Sequence, residues 1–471
     1  MRKYFLILSI VFCFMLTCCG GGEDADPSLL PVIDSFTATP NITYLGKSVT
    51  LSWSVTNADS VAIDHNVGSV SVSGSTSVTM NTRGVNIFIL TATNSEGTQM
   101  DVLDVTVLGV VWSIEFGGDD EDEGNSVQQT SDGGYIIAGL TNSFGNGLSD
   151  VYLIKLDYTG ATEWIKTFGG DDEDEGNSVQ QTSDGGYIIA GFTNSFGNGL
   201  SDVYLIKLDY TGATEWTKTF GGAGDDIGMS VQQTSDEGYI VVGSSDSFGN
   251  GTKDAYLIKT DSSGNEEWSG IIGGTDNDIG LSVQVTSDEG YIITGVTGSY
   301  GLGSGDVFLI KLDSLGDEEW FETFGGTSED MGFSVQQTSD GGFIVTGYTA
   351  SSGNGASDVY VIKTDSTGSE EWTNTYGGSD EDEGHSIQQT SDGGYIIVGT
   401  TDSFGAGSGD IYLIKIDSSG NQLWATTFGQ SDEDEGNFVK ETGNHEFIII
   451  GSITLVNQGY TDWNIVLIKI S

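Results

Sequence analysis

The chain has 471 residues, which is long enough for two or three domains. Its 15 Lys and Arg against 69 Asp and Glu give a formal charge of −54, and because such a field repels phosphate backbones we expect no nucleic-acid partner. The 71 Gly beside only 3 Pro exclude a Pro-rich disordered or collagen-like chain and favour many short strands joined by tight turns.

The N-terminus has the pattern of a targeting segment. Arg2 and Lys3 are followed by an apolar run from 4 to 16, which is too short to span a membrane comfortably. The run ends in Leu16-Thr17-Cys18-Cys19-Gly20, which resembles the lipobox of bacterial lipoproteins. The resemblance implies a signal peptide over 1–18, a lipid on Cys19, membrane contact through that lipid alone, and a place in the bacterial cell envelope, at the outer membrane or cell surface.

The segment that follows the apolar run differs from it in composition and contains the last cysteines of the chain. Cys13, Cys18 and Cys19 are the three cysteines, so the chain after them has no disulfide and no thiol nucleophile. Residues 19–30 are rich in Gly and acids and predict a flexible tether.

Residues 31–109 alternate β-forming and polar positions, as in 48–55 and 87–94, which predicts a small antiparallel sandwich with Trp53 in its core. The segments at 35–40, 50–53 and 91–97 resemble bacterial immunoglobulin-like or PKD-like modules. The resemblance implies a spacer or adhesive unit.

The remainder is a repeat with a fixed period of 52 residues. Each unit contains four strand-like runs, and a period near 50 residues with several strands per unit is typical of propeller blades. The period is marked by Trp112, Trp164, Trp216, Trp268, Trp320, Trp372 and Trp424. We therefore predict an all-β chain in which residues 111–471 form a seven-bladed β-propeller of four-stranded antiparallel blades, preceded by the small sandwich.

The two ends of the repeat array predict how the ring closes. The array opens with a Trp strand over 111–116 and ends after the strand 464–470, with no Trp strand following. The strand count closes only if the first strand completes the last blade. We expect Trp112 at the outer edge of that blade, with its strand antiparallel to the segment of Val466 and Ile468, because open edges would invite pairing between chains.

The repeats resemble the bacterial β-propeller repeat family, and their recurring Asp209-x-x-Gly212-x-x-x-Trp216 segment resembles the tryptophan-docking motif of quinoprotein propellers. The resemblance implies that the seven Trp dock adjacent blades together. The adjacent-Cys disulfide and the eighth blade of the quinone enzymes are missing from the repeat region, which argues against a redox cofactor.

Two Asp positions recur in every unit at the 52-residue spacing. The first lies in an acidic loop, at Asp122, Asp174, Asp226, Asp278, Asp330, Asp382 and Asp434. A Ca²⁺ ion wants six to eight oxygen ligands, and only this one acid per loop is held in register, so a turn-stabilising role is favoured and Ca²⁺ binding is the alternative; we expect no other cofactor. The second recurring Asp is at Asp150, Asp202, Asp254, Asp306, Asp358, Asp410 and Asp462. We expect it to start a strand and to accept hydrogen bonds from backbone N–H groups.

The repetition itself argues against catalysis. Residues 117–164 and 169–216 differ only at Leu140 versus Phe192, whereas a catalytic centre needs unlike groups that converge on one point. We expect a monomeric binding or display protein, not an enzyme, with a protein or glycan partner. A specific contact is expected where the repeat is broken, at Lys440, Glu441 and Tyr460. A calcium-dependent adhesin, a structural spacer, and a propeller hydrolase or lyase with paired carboxylates are the alternatives.

Overall fold

The computed structural model describes residues 29–443, 445–457 and 460–471, without the side chains of 455–462. The expected signal peptide, the Cys19 lipid site and nearly all of the tether lie outside the described residues. Two compact units are present: Ser48–Thr106 with the described residues up to Ile42, and Thr43–Lys47 with Val107–Ser471. Within the described ranges, no helix has the length and apolar composition needed to cross a membrane.

The first eight strands form two sheets, ordered β1-β3-β6 and β2-β8-β7-β4-β5. Their bounds are β1 (Val32–Thr39), β2 (Ile42–Tyr44), β3 (Ser48–Thr56), β4 (Ser60–Ile63), β5 (Gly68–Val70), β6 (Ser73–Thr79), β7 (Gly84–Asn94) and β8 (Gly97–Leu108). Along β3, Val49, Leu51, Trp53 and Val55 are buried and the residues between them are not, which is the period-two pattern of a strand with one core face. Trp53 is therefore in the core, as predicted. The resemblance to immunoglobulin-like modules stays a prediction.

The strands from β9 (Val110–Phe116) onward form seven four-stranded sheets in the described part of the chain, and each sheet is one blade of a β-propeller. The first strand of each blade lines a central channel; these are β10 (Asp122–Gln129), β14 (Asp174–Gln181), β18 (Asp226–Gln233), β22 (Asp278–Val285), β26 (Asp330–Gln337), β30 (Asp382–Gln389) and β34 (Asp434–Gly443). The second strands are β11 (Tyr135–Thr141), β15 (Tyr187–Thr193), β19 (Tyr239–Ser245), β23 (Tyr291–Thr297), β27 (Phe343–Thr349), β31 (Tyr395–Thr401) and β35 (Glu446–Asn457).

The third strands are β12 (Asp150–Leu156), β16 (Asp202–Leu208), β20 (Asp254–Thr260), β24 (Asp306–Leu312), β28 (Asp358–Thr364), β32 (Asp410–Ile416) and β36 (Tyr460–Ile470). The outer, fourth strands are β13 (Thr162–Phe168), β17 (Thr214–Phe220), β21 (Glu266–Ile272), β25 (Glu318–Phe324), β29 (Glu370–Tyr376), β33 (Gln422–Phe428) and, for the last blade, β9.

The ring closes with one strand from the start of the array and three from its end. β9 pairs antiparallel with β36, with Trp112 opposite Lys469 and Phe116 opposite Ile465. Gly109 and Ser471 extend the pairing through two backbone hydrogen bonds, of 3.1 and 3.2 Å. The predicted seven blades and the one-plus-three closure are both confirmed.

Two expectations drawn from the spacing are wrong in detail. The recurring Asp of the acidic loop is the first residue of the first strand and not a loop residue, as at Asp174 in β14. Asp462 does not start the third strand of the last blade in the way that Asp150 does, because Asn464 pairs with Ile453 where Asp150 pairs with Thr141. Ten residues separate Ile453 from Asn464, whereas eight separate Thr141 from Asp150, so the 52-residue spacing to Asp462 is a coincidence.

The blades hold together because their second and third strands are apolar on both faces. All seven residues of β16 are buried, as expected for a sheet sandwiched between two others. One cluster joins Ile136 and Leu153 of the first blade to Ile189 and Ile206 of the second. Equivalent clusters lie between other neighbouring blades, so each sheet is stable only in the presence of its neighbours.

A buried lysine at the end of the third strand ties together three segments of a blade. Lys207, 2% exposed, donates from Nζ to Asp184 of the turn between the first and second strands (2.9 Å), to Glu215 of the fourth strand (3.0 Å) and to the Leu208 carbonyl (3.0 Å). The same set of ion pairs recurs at Lys155, Lys259, Lys311 and Lys363. Burying an ammonium group is costly unless it is fully paired, so the three acceptors fix the position of this side chain.

We predict that Lys207→Met lowers the free energy of unfolding by about 2 kcal/mol, because it leaves the carboxylates of Asp184 and Glu215 without their counter-charge. The loss is smaller than for a fully buried ion pair, since both acids are about half exposed. Lys218→Met is the matched control on the adjacent strand, where Lys218 makes one exposed hydrogen bond to Asn265, and it should change stability by less than about 0.5 kcal/mol. Urea denaturation measures both. Equal losses in the two variants would contradict the role of Lys207.

Candidate binding face and central channel

The two ends of the propeller differ in chemistry. One end, called the loop face, carries the acidic loops that enter each first strand, such as 169–173, and the loops between second and third strands, such as 194–201. The other end, called the turn face, carries the tight turns 182–186 and 209–213, each closed by backbone hydrogen bonds. The turn face is nearly the same in the first six blades, whereas the loop face changes around the ring.

The predicted docking tryptophans lie on the outer strands and reach the next blade. Trp164 on β13 meets Tyr187 on β15 of the following blade, with ring centroids 5.8 Å apart. It also covers Gly212, where an added Cβ would come within 3.0 Å of the indole and where φ is +75°, a conformation that favours Gly. The same ring contact is made by Trp112, Trp216, Trp268, Trp320 and Trp372.

Trp424 differs from the other six. No turn of the Asp-x-x-Gly type follows it, because the last blade takes its fourth strand from the start of the array. Its ring is 5.9 Å from Tyr44, a residue of the same compact unit, and only 3% of its surface is exposed. Trp424 is therefore buried by residues other than the Gly turn and the aromatic ring of a following blade that cover the other six tryptophans.

The Asp at the start of each first strand fastens the acidic loop to the loop between second and third strands. Asp174 is fully buried, and its Oδ2 accepts hydrogen bonds from the Gly170 N–H (2.8 Å) and the Ser195 hydroxyl (2.6 Å). The pattern recurs at Asp122, Asp226, Asp278, Asp330 and Asp382. In the last blade, Asp434 accepts from the N–H groups of Gln430 and Thr454.

The second recurring Asp also accepts backbone hydrogen bonds, as expected: Asp202 Oδ2 accepts from the N–H groups of Asn198 (2.8 Å) and Gly199 (3.1 Å). Among the described residues, no group of three or more His, Cys, Asp or Glu side chains is arranged to hold a metal ion. Ca²⁺ binding at the first-strand Asp residues stays a prediction that the structure does not test.

The loop face is divided into an acidic half and a less acidic half. Residues 119–123 and 171–175 contain five acids each, 379–383 and 431–435 contain four each, and 223–227, 275–279 and 327–331 contain two each. The four acidic loops are consecutive around the closed ring. The same division continues at the second residue of the first strands, which is Glu at 123, 175, 383 and 435 but Ile or Met at 227, 279 and 331.

In the acidic half, side chains at the channel mouth reach from one blade to the next. Asn125 donates to Glu175 of the next blade (3.0 Å), and His385 Nδ1 lies 3.1 Å from the Gly436 carbonyl oxygen of the next blade. The His385 Nε2 atom lies 3.2 Å from Glu383 of its own strand. Burial, together with the nearby carboxylates of Glu121, Glu175 and Glu435, raises the pKa of Glu123 to about 7. Burial lowers the pKa of His385, but the neighbouring Glu383 carboxylate outweighs this effect and holds the pKa above its ordinary value. This half is therefore an electronegative, partly buried rim.

The loop face also exposes large apolar side chains. At the third residue of five loops between second and third strands stands an aromatic ring that is 41% to 48% exposed: Phe144, Phe196, Phe248, Tyr300 and Phe404. Leu148, Leu200 and Leu302, in the same loops, are 64% to 74% exposed. Apolar groups repeated around one face of a monomer are typical of a contact surface.

The first strands are also joined around the channel by side chains that accept backbone hydrogen bonds. Ser178 Oγ accepts the N–H of Val231 (3.3 Å), and Gln180 Oε1 accepts the N–H of Gln233 (2.6 Å). Both bonds recur at six of the seven junctions between blades. At the junction of the last and first blades, the equivalent positions are Phe438 and Lys440, which carry no acceptor atom.

The three residues predicted as partner contacts have different surroundings. Lys440 lines the central channel. Glu441 accepts hydrogen bonds from the N–H and hydroxyl of Ser391, both 2.7 Å, as Gln233 does from Ser183, and its side chain is 9% exposed. The side chain of Tyr460 lies outside the described residues. A role of these residues in contacting a partner stays a prediction.

Comparison with known proteins gives distant likenesses only. No protein-family model matches the chain. The regulatory protein FlaEY of Caulobacter vibrioides is 28% identical in an alignment of 199 residues that covers 36% of this chain and 21% of FlaEY, so this chain spans about a fifth of that relative.

Two solved structures are similar at a coarse level. They are Sqt1 from Chaetomium thermophilum, with 13% identity, a TM-score of 0.44 and coverage of 73% of this chain and 82% of that one, and BBS1N in complex with ARL6DN, with 9% identity, a TM-score of 0.43 and coverage of 77% and 96%. Neither likeness carries an argument about function.

The raised pKa of Glu123 predicts a pH-dependent stability. The folded protein holds this proton where the unfolded chain has lost it, so the free energy of unfolding falls as the pH rises from about 4.5 to about 7. Glu123→Gln should therefore stabilise the protein by about 1 to 2 kcal/mol at pH 8, after allowance for solvent screening, and have little effect at pH 4.5.

Urea denaturation at both pH values measures this difference. Glu115→Gln, at an exposed position of β9, is the control and should have little effect at either pH. Destabilisation by Glu123→Gln at pH 8 would contradict the assigned repulsion.

Proposed function

We propose that this chain is a lipid-anchored binding protein of the bacterial cell envelope, whose propeller holds a macromolecular partner on the loop face. The observation that carries the proposal is the division of that face: a shell of near-identical blades has unlike chemistry at this end. The difference in acidity between the two halves is not needed to hold the ring together, because the first six blades are joined by the same hydrogen bonds in both halves.

The chemistry of the face favours a protein partner that presents basic groups beside apolar ones. The acidic half attracts Lys and Arg side chains, and exposed rings such as Phe144 and Phe196 supply the apolar contact that dominates the energy of many interfaces. The rings also suit a glycan, since aromatic side chains stack on sugar faces; the glycan is therefore the second candidate.

A non-catalytic role is part of the proposal. The first two blades differ only at Leu140 and Phe192 over 48 matched positions, so like groups surround the axis where a catalytic centre would need unlike ones. Anchoring through Cys19 would hold the propeller at a membrane surface, where a partner in the same envelope is within reach of a tethered domain.

Site-specific photo-crosslinking in intact cells tests the proposal. A benzoylphenylalanine at Phe144 or Phe196 should capture one discrete envelope partner, and the yield should fall as salt is raised because charged contacts are screened. The matched controls are Tyr158 and Tyr210, which lie on the turn face, are 70% and 72% exposed, and should capture nothing. Protease digestion of the adduct distinguishes a protein from a glycan.

The result that contradicts the proposal is equal capture from both faces, or capture from neither, which would favour the structural spacer. Fractionation of the same cells serves as the control for the anchor: the wild-type chain should sediment with membranes, and Cys19→Ser should not.

A further inference from the structure

The central channel is lined by the first strands of all seven blades and encloses a cavity of about 190 Å³. A water molecule takes up roughly 30 Å³ in the liquid, so the cavity has the volume to hold a small polyatomic ion. Six blades contribute a glutamine at the same position: Gln128, Gln180, Gln232, Gln284, Gln336 and Gln388.

The hydrogen bonds between blades fix which end of each amide is available in the channel. Gln180 Oε1 accepts the N–H of Gln233, and Gln388 Oε1 accepts the N–H of Glu441, both at 2.6 Å. An amide oxygen can accept this bond and the amide nitrogen cannot. The Nε2 groups have no hydrogen-bond partner among the described residues, so this layer of the channel presents N–H donors.

Lys440 adds a positive charge to the donor layer. It occupies the seventh glutamine position, and its Nζ has no hydrogen bond or ion pair among the described residues, unlike Lys207 and its equivalents. A lysine without a carboxylate partner is unexpected in a chain with a formal charge of −54. Burial alone lowers the pKa of Lys440, so the site would gain from a ligand that restores a counter-charge.

We propose that this channel binds one small oxyanion, or the carboxylate of a small molecule, with Lys440 Nζ as the counter-charge and the glutamine Nε2 groups as hydrogen-bond donors. An oxyanion has only acceptors, which match a layer of donors, and charge-assisted bonds of this kind are the stronger ones. The site is separate from the partner surface of the loop face, and neither proposal depends on the other.

The pH dependence follows from the proton that Lys440 must hold. Binding favours the charged ammonium group, so the affinity should be lost as the pH rises through the pKa of Lys440, which lies below the ordinary value for lysine.

Lys440→Gln is a sharp test, because it completes the ring of seven glutamines and returns an acceptor for the Gln129 N–H. The variant should fold at least as well as the wild type, with an equal or higher Tm, while it loses the charge. The control is Lys253→Gln, on a loop of the loop face and outside the channel lining.

Isothermal titration calorimetry on the purified full chain would use sulfate, acetate and glucuronate at constant ionic strength, with glucose as the uncharged probe. We expect one saturable site in the wild type and in Lys253→Gln, at least tenfold weaker binding in Lys440→Gln, and no binding of glucose. Equal affinity for sulfate and acetate identifies a free oxyanion, and tighter binding of glucuronate identifies a carboxylate on a sugar.

Two results would overturn the proposal: absence of saturable binding of every anion, or equal binding by the wild type and Lys440→Gln. If Lys440→Gln fails to fold, the wild type alone decides, since affinity that does not fall with rising pH excludes Lys440 as the counter-charge. Partner capture on the loop face is unaffected by either result, so failure here is distinguishable from failure of the proposed function.

Discussion

The pairing of β9 with β36 is the interaction on which the rest of the structure depends. Each blade buries its second and third strands only against neighbouring blades, so an open array would leave apolar sheets uncovered at both ends. One antiparallel pair, running from Trp112 opposite Lys469 to Phe116 opposite Ile465, makes the first and last blades neighbours. The buried lysines, the docked tryptophans and the channel all depend on the closed ring that the pairing of β9 with β36 makes.

The closing junction is also where the repeat is least regular. Six junctions use a serine and a glutamine to accept backbone N–H groups, whereas the seventh has Phe438 and Lys440. Phe438 packs against the apolar cluster that the first and last blades form together. Because β9 pairs within the last blade and continues along the chain into β10 of the first blade, the two blades stay joined although these two side-chain bonds are missing. Since no hydrogen-bond acceptor is required at this position, it can be occupied by Lys440, whose side chain brings a positive charge to the channel.

The sequence predicted the architecture well because the period is carried by large residues with a fixed structural role. Tryptophans at a spacing of 52 count the blades, and the missing strand after Ile470 predicts the closure. The chemistry of individual positions was harder to predict. Asp462 stands 52 residues after Asp410 by coincidence, and Asn464 takes the place in the sheet because the connection before it is two residues longer. The same offset puts Lys469 at 54 residues after Lys415.

The contacts of Lys207 and the orientation of the glutamine amides could not be predicted either. Both depend on which strands are neighbours and which atoms already have partners, and neither is encoded in the period. The division of the loop face was visible in the sequence, as Glu at 123 and 175 against Ile at 227 and 279. Its meaning required the ring, because only closure makes the acidic loops at 379–383 and 119–123 belong to one half.

The most direct test of the account compares two truncated chains that both lack the N-terminal sheets, one beginning at Gly109 and the other at Gly118. The second chain alone loses β9, with about six backbone hydrogen bonds at roughly 0.5 to 1.5 kcal/mol each and the docked Trp112, a loss comparable to the whole stability of a typical domain. Urea denaturation and sedimentation should find the chain from 109 folded and monomeric and the chain from 118 unfolded or aggregated. Equal stability of the two chains would contradict the closure and the account built on it.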